Sequence, residues 1–246
     1  MQTITSLQNP IVKLATSLHQ RKSREETGLF LIEGKKGVEE AINYGLEITQ
    51  VFTKENSNEK ILKKISTTDT PPEIVAIAKQ FKYDIKDLFK DETPLIIVLE
   101  NIKDPGNLGT IIRTAKAASA SGIILTGDTA DIFNPKTVRS SAGNLWKIPI
   151  IKLEEKNRLK EIINSNKPCQ IIGTKVDKNS EKVYFKVDYK KPTVVVFGSE
   201  AEGISDQLAQ QCDFLIQIPM HSEIESLNLS VSVGIILYEA LRQKLS

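Results

Sequence analysis

Two stretches of this chain, LIIVL at 95–99 and VVVF at 194–197, are apolar at every position. A strand with one wet face alternates apolar and polar residues. A strand that is apolar throughout is covered on both faces, as in a parallel sheet lying between helices. Apolar runs at 122–125, 148–151, 170–173 and 214–218 repeat the signal, and helical patterns at 108–119, 156–165 and 205–212 lie between them. The alternation predicts an α/β fold, a mostly parallel sheet with helices on both faces.

The first third has shorter and more polar elements. A polar helix is predicted over 11–24, strands at 29–32, 48–52 and 74–78, and helices at 35–44 and 58–65, the former stopped by Gly45. This reads as a small α/β domain over residues 1–90. The charge-mixed segment 81–94, ending at Pro94, reads as a linker, and the larger domain spans 91–246. Near the C-terminus two periods compete. Leu227, Leu229, Val231, Val233 and Ile235 alternate as in a strand, whereas Val233, Ile236, Leu237, Ala240 and Leu241 share one face of a helix. The helix is favoured, capped by Asn228 or Ser226.

Composition narrows the function classes. The 246 residues are 40% hydrophobic and 26% charged, ordinary for a soluble globular chain. A net charge of +2 makes no strong argument for nucleic acid. Locally, however, Lys13, Arg21, Lys22 and Arg24 precede the first acid, Glu25. This basic arm is either a solvated helix face or a set of phosphate contacts. Cys169 and Cys212 are far apart, and His19 and His221 are the only histidines, so neither a disulfide framework nor a metal site is expected. The start, MQTITSLQNP, lacks a secretory pattern, and no run nears the ~18 apolar residues of a membrane span. A reducing cytoplasm and no membrane partner are the expectation.

Three loops with polar tips each follow a strand, and ligands of open α/β sheets bind beyond the carboxyl ends of the strands. The first, DPGNLGTIIRTA, places Asn107 near a helix start and Arg113 six residues on, in an otherwise apolar and small helix. Arg113 is a rim ion pair or a guanidinium aimed at phosphate. The second, GSEAEG, offers Gly198 and Glu200. Its acids argue against a phosphate cradle and for a cationic or hydroxyl-bearing ligand. The third, IPMHSEIESLNL, carries Ser226 and Asn228. A fourth segment, NPKTVRSSAGNLW at 134–146, reads as a loop whose Arg139 could meet phosphate. Other readings stand at this level. Gly106 and Gly109 spell the GxxG of a KH-type RNA-binding loop, and Ser199 or Ser226 with His221 could serve a hydrolase.

Together these loops resemble the SpoU (TrmH-type) family of RNA ribose methyltransferases, of the SPOUT superfamily. Asn107 and Arg113 match its first motif, Gly198, Glu200 and Gly203 its second, and Ile218-Pro219-Met220 with Ser226-Leu227-Asn228 its third. The cues SLQNPIVK, FLIEGKKGVEEA and PPEIVAIA resemble, more loosely, the small RNA substrate-binding domain that often precedes it. The resemblance implies a C-terminal trefoil knot, bound S-adenosylmethionine and a homodimer. It implies methyl transfer to a ribose 2′-hydroxyl of RNA, ribosomal (23S) rather than transfer RNA. Carried over by position, Gly198, Ile218 and Leu227 would contact the cofactor. Arg113, Asn107, Glu200, Ser226 and Asn228 would form the catalytic set. Lys13, Arg21, Lys22, Arg24 and Arg139 are then the candidate RNA contacts.

Overall fold

The computed structural model describes residues 3–175, 182–199, 201–221 and 225–246. The chain forms two compact units, one of residues 1–81 with 131–146, the other of 82–130 with 147–246.

The first unit begins with helices α1 (Pro10–Ser17) and α2 (Arg21–Thr27). Strand β1 (Leu29–Glu33), helix α3 (Lys35–Tyr44), strand β2 (Ile48–Thr53), helix α4 (Glu59–Ile65) and strand β3 (Ile74–Lys79) follow. The strands form an antiparallel sheet in the order β1-β3-β2. Val12, Ala15 and Leu18 join Ile61, Leu62, Ile65, Phe52 and Val75 in its core. One helix was expected over 11–24. Two form because the first ends at Ser17 and the chain is extended at Gln20.

That break places Arg24 inside the unit, which corrects its assignment as an RNA contact. Its side chain is 2% exposed and sits 2.7 Å from Asp131. Its guanidinium also donates to the carbonyls of Leu18 and His19. Its charge is thus met by a carboxylate and two carbonyls from within the protein, as a buried cation requires. A cation so enclosed does not reach a phosphate in solvent.

The second unit holds β4 (Leu95–Glu100), α5 (Pro105–Ala117) and β5 (Gly122–Thr126). The chain then contributes α6 (Pro135–Ser140) to the first unit. The 134–146 stretch, expected to be a loop, therefore carries a helix. Asn134 caps it by accepting from the Lys136 N–H, and Pro135 occupies the first turn, where its missing N–H costs nothing. The second unit resumes with β6 (Ile150–Leu153), α7 (Leu159–Asn166), β7 (Gln170–Thr174), β8 (Lys182–Val183) and β9 (Thr193–Phe197). It ends with α8 (Asp206–Ala209), β10 (Phe214–Gln217) and α9 (Leu229–Leu245). The segment expected to be a linker, 81–94, contains a short 3-10 helix, Ile85–Phe89, whose Leu88 is buried in the second unit.

Seven strands make one sheet, β6-β5-β4-β9-β7-β10-β8, and every pairing is parallel. Ile96, Val98, Ile124, Val194 and Val196 face a cluster with Leu159, Ile163 and Leu208 of α7 and α8. Ile97, Leu99 and Val195 point the other way by the two-residue period, toward the face that α5 and α9 cover as they pack on one another. The strand order also fits a C-terminal knot. Strand β9 enters between β4 and β7, and the chain then runs out to β10 and returns as α9 against α5.

The contest of periods at 227–235 is settled for the helix. Asn228 caps α9, accepting from the Ser230 N–H at 2.9 Å and the Ser230 hydroxyl at 2.6 Å. Leu229, Val233, Ile236, Leu237 and Ala240 then share the buried face.

Candidate functional site

The carboxyl ends of β7, β9 and β10 open into a cavity of about 400 Å³. Phe197, Ile204, Ile216, Ile218, Leu227 and Leu229 give it apolar walls, and Ser199, Glu202, Glu225 and Ser226 give it polar edges. This is the size and mixture of a small-molecule site. Gly198, Ile218 and Leu227, far apart in sequence, all line it.

The loop after β9 is shaped by its glycines. Gly203 has φ 68, a left-handed conformation natural to glycine. Its N–H donates to the Ser199 carbonyl at 3.0 Å, closing a one-bridge antiparallel loop. A Cβ on Gly198 would overlap the Gly203 carbonyl and the Ile204 nitrogen, all main chain. The Ser199 hydroxyl accepts from the Glu202 N–H at 3.1 Å. It holds the turn, and among the described residues it makes no hydrogen bond to a base that would activate it as a hydrolase nucleophile. Glu200 lies outside the described residues.

The first and third loops meet. Asn228 donates through its amide to the Asn107 amide oxygen at 3.2 Å. Asp104 caps α5 by accepting from the Asn107 N–H at 2.7 Å, so Asn107 sits in the first turn with its backbone fixed. The GxxG of residues 106–109 is thus the opening turn of a helix behind a parallel strand, with Gly109 buried, and not an exposed RNA-gripping loop. Arg113 lies about 9 Å farther along α5. It is exposed, makes no hydrogen bond or ion pair among the described residues, and is not part of the cavity wall. Ser226 is exposed at the cavity edge.

Among the candidate RNA contacts, Lys13, Arg21, Lys22 and Arg139 are exposed. Arg21 pairs with Glu25 at 2.7 Å and Lys22 with Glu26 at 3.8 Å, so part of the arm's charge is neutralised one turn away. Arg139 lies 3.8 Å from Glu33 and donates to the Thr67 hydroxyl.

Sequence reasoning passed over Glu100, the last residue of β4. Its side chain is 1% exposed and lies 2.7 Å from Lys156. Burial alone would raise its carboxyl. The hydrogen bonds from Lys156 and from Ser205 outweigh burial and hold it below its ordinary value. The available signal was a single acid closing an otherwise apolar strand.

Residues 94–238 match the SpoU rRNA Methylase family, and residues 9–59 match an MRM3-like substrate binding domain. The chain is 34% identical to an uncharacterized tRNA/rRNA methyltransferase of Synechocystis sp., over 98% of this chain and 94% of that one. It is 28% identical to the 23S rRNA (guanosine(2553)-2′-O)-methyltransferase RlmP of Bacillus subtilis, over 97% and 98%. Among solved structures, an AdoMet-bound rRNA methyltransferase from Sinorhizobium meliloti superposes with a TM-score of 0.90. The two share 36% identity over 100% of this chain and 99% of that one.

Proposed function

This chain belongs to the SpoU rRNA Methylase family, and from that premise we propose that it transfers a methyl group from S-adenosylmethionine to a ribose 2′-hydroxyl of ribosomal RNA, in the 23S molecule. The observation that carries the reading is the convergence of three strand ends. Two of the loops wall one cavity, and the third is tied to it through Asn107 and Asn228.

The residues fit the cofactor. The apolar walls suit an adenine and a methionine chain, and the carboxylates of Glu202 and Glu225 at the edge suit a cation. Gly198, Ile218 and Leu227 would hold it. When bound, S-adenosylmethionine supplies a methyl group already activated on a positive sulfur. What is left to the protein is placement and charge. Arg113 anchors the phosphate beside the target ribose and stabilises negative charge on the 2′-oxygen as its proton passes to water at this exposed edge. Its guanidinium stays protonated, so this role is electrostatic. Asn107, Ser226 and Asn228 orient the sugar, and Glu200 orients Arg113. Positioning of this kind supplies on the order of 7–11 kcal/mol in favourable cases.

We assign RNA recognition to residues 1–90 and methyl transfer to 91–246. The exposed Lys13, Arg21, Lys22 and Arg139 are the candidate phosphate contacts. Among the described residues no helix is long and apolar enough to cross a membrane. We place the enzyme in the cytoplasm, with its RNA.

We also propose a homodimer. Val231, Ile235 and Tyr238 recur on one face of α9, with Val231 and Tyr238 about half exposed. Beside them Tyr184, Phe185, Ile218, Pro219 and Leu227 line an apolar groove. Ile218 and Leu227 also wall the cofactor cavity, so a second copy seated on this face borders the site. Sedimentation of the purified protein should give twice the chain mass. A monomer at micromolar concentration would refute the dimer.

The activity is tested by supplying radiolabelled S-adenosylmethionine with 23S ribosomal RNA fragments, with DNA of the same sequence, or with transfer RNA. Label should enter ribose in the RNA and none should enter the DNA, which lacks the 2′-hydroxyl. Label on a base or on DNA would overturn the ribose assignment. Label on transfer RNA alone would overturn the choice of substrate.

A further inference from the structure

Three donors converge on the buried carboxylate of Glu100, each at 2.7 Å. They are Lys156 Nζ and Ser205 Oγ on Oε1, and the Ser205 N–H on Oε2. Lys156 Nζ also lies 3.3 Å from Ser205 Oγ. The lysine is itself held in place, since Gln211 donates to its carbonyl at 2.9 Å. A buried ion pair of this kind is poor support for a stability role, because apolar residues of equal volume often do as well. Its position in the fold is the more telling fact.

Ser205 is the exit of the loop that leaves β9. That loop closes on itself between Ser199 and Gly203, and Ile204, next to Ser205, is part of the cavity wall. Glu100 stands at the opposite root. The next residue, Asn101, has φ 56 and starts the turn that leads to Asp104, Asn107 and α5. One carboxylate therefore fastens the end of the cofactor-cavity loop to the strand that launches the arginine-bearing helix. Two of its three bonds reach the loop, one through the main chain, so the loop's path depends on the acceptor itself and not only on charge.

We propose that Glu100 is a positioning residue for methyl transfer. With Lys156 as its counter-charge, it fixes the 198–205 loop in the conformation that holds S-adenosylmethionine. It touches neither cofactor nor RNA and acts through Ser205. This inference rests on the methyltransferase reading above.

The test uses the full-length enzyme and four measurements: KM for S-adenosylmethionine, KM for RNA, kcat, and the thermal midpoint. Glu100→Gln keeps the volume but sets an amide N–H₂ among three donors and removes the charge facing Lys156. The cofactor KM should rise about tenfold, the effect of losing a charged hydrogen bond, while the RNA KM moves less than about twofold. Glu100→Asp, which keeps the charge, should recover most of the loss. Ser205→Ala should raise the cofactor KM a few-fold alone and add nothing in the Glu100→Gln background, since the two share one interaction.

An unchanged cofactor KM in Glu100→Gln, with loss confined to the thermal midpoint or the active fraction, would overturn the inference. So would full additivity of the two substitutions. If Glu100→Gln does not fold, Ser205→Ala decides alone, because it removes only the hydroxyl's contacts with Glu100 and Lys156 and keeps the main-chain bond. A shift in cofactor KM supports the inference and none overturns it. A wild-type protein that bound no S-adenosylmethionine would overturn the methyltransferase reading and this inference together. Wild-type binding with unmoved variants would overturn this inference only.

Discussion

Arg113→Ala should lower methyl transfer by on the order of 10²–10³-fold, the usual effect of deleting one electrostatic stabiliser of a reacting oxygen, and leave S-adenosylmethionine affinity unchanged. The separation is expected because Arg113 is exposed, lies outside the cavity wall, and makes no hydrogen bond or ion pair among the described residues. Among the described residues its removal leaves no buried partner unsatisfied, and stability should move by no more than about 0.5 kcal/mol. The variant therefore folds, binds cofactor and fails at chemistry. Arg113→Lys should recover little, because a point charge does not reproduce a planar fork that spans phosphate and 2′-oxygen together. Single-turnover rates with saturating RNA, beside calorimetric titration of the cofactor, make the check. Near-wild-type turnover in Arg113→Ala would remove this residue from the proposed chemistry.

The sequence made the central sheet legible because burial on both faces leaves a strong mark. Strands β4 and β9, apolar but for one terminal residue each, were placed within a residue of their observed bounds. The last helix was legible for a different reason. Leu229 is followed by Val233, Ile236, Leu237 and Ala240 at helical spacing, and Asn228 is a good cap, which together outweigh the strand-like alternation before it.

What stayed hidden depended on partners distant in sequence. Arg24 looked like one more member of a basic arm. Its partner Asp131 is 107 positions away, and no local pattern announces a buried pair. The 134–146 segment reads as a loop from its hydroxyls and glycine, but Asn134 and Pro135 make a competent helix start. Glu100 drew no notice at the end of its strand, although Ser205 and Lys156 enclose it. The insertion of β9 between β4 and β7 is a matter of strand order, which periodicity does not encode. The motif residues at the cavity could be named from family resemblance, whereas the hydrogen bond between Asn107 and Asn228 required coordinates.

The second large effect concerns Gly198. Gly198→Ala should reduce S-adenosylmethionine affinity by on the order of a hundredfold, the cost of displacing a binding element by about 1 Å. The effect is steric. Gly198 is buried at the end of β9, and the space a methyl group would need is filled by the Gly203 carbonyl and the Ile204 nitrogen. A flexible side chain could swing aside, but these atoms are main chain in a loop already pinned by the Gly203 N–H and the Ser199 hydroxyl. The loop must open, and Ser199, Ile204 and their neighbours on the cavity wall move with it. Overpacking of this kind costs roughly 1–3 kcal/mol, so the protein should still fold with a lowered thermal midpoint. Gly45→Asn is the matched control. It caps α3 at φ 88, a Cβ there meets nothing within 4 Å, and asparagine tolerates the left-handed conformation. Calorimetry should find cofactor binding lost in Gly198→Ala and intact in Gly45→Asn. Equal binding in both would mean that the 198–203 loop does not shape the cofactor site.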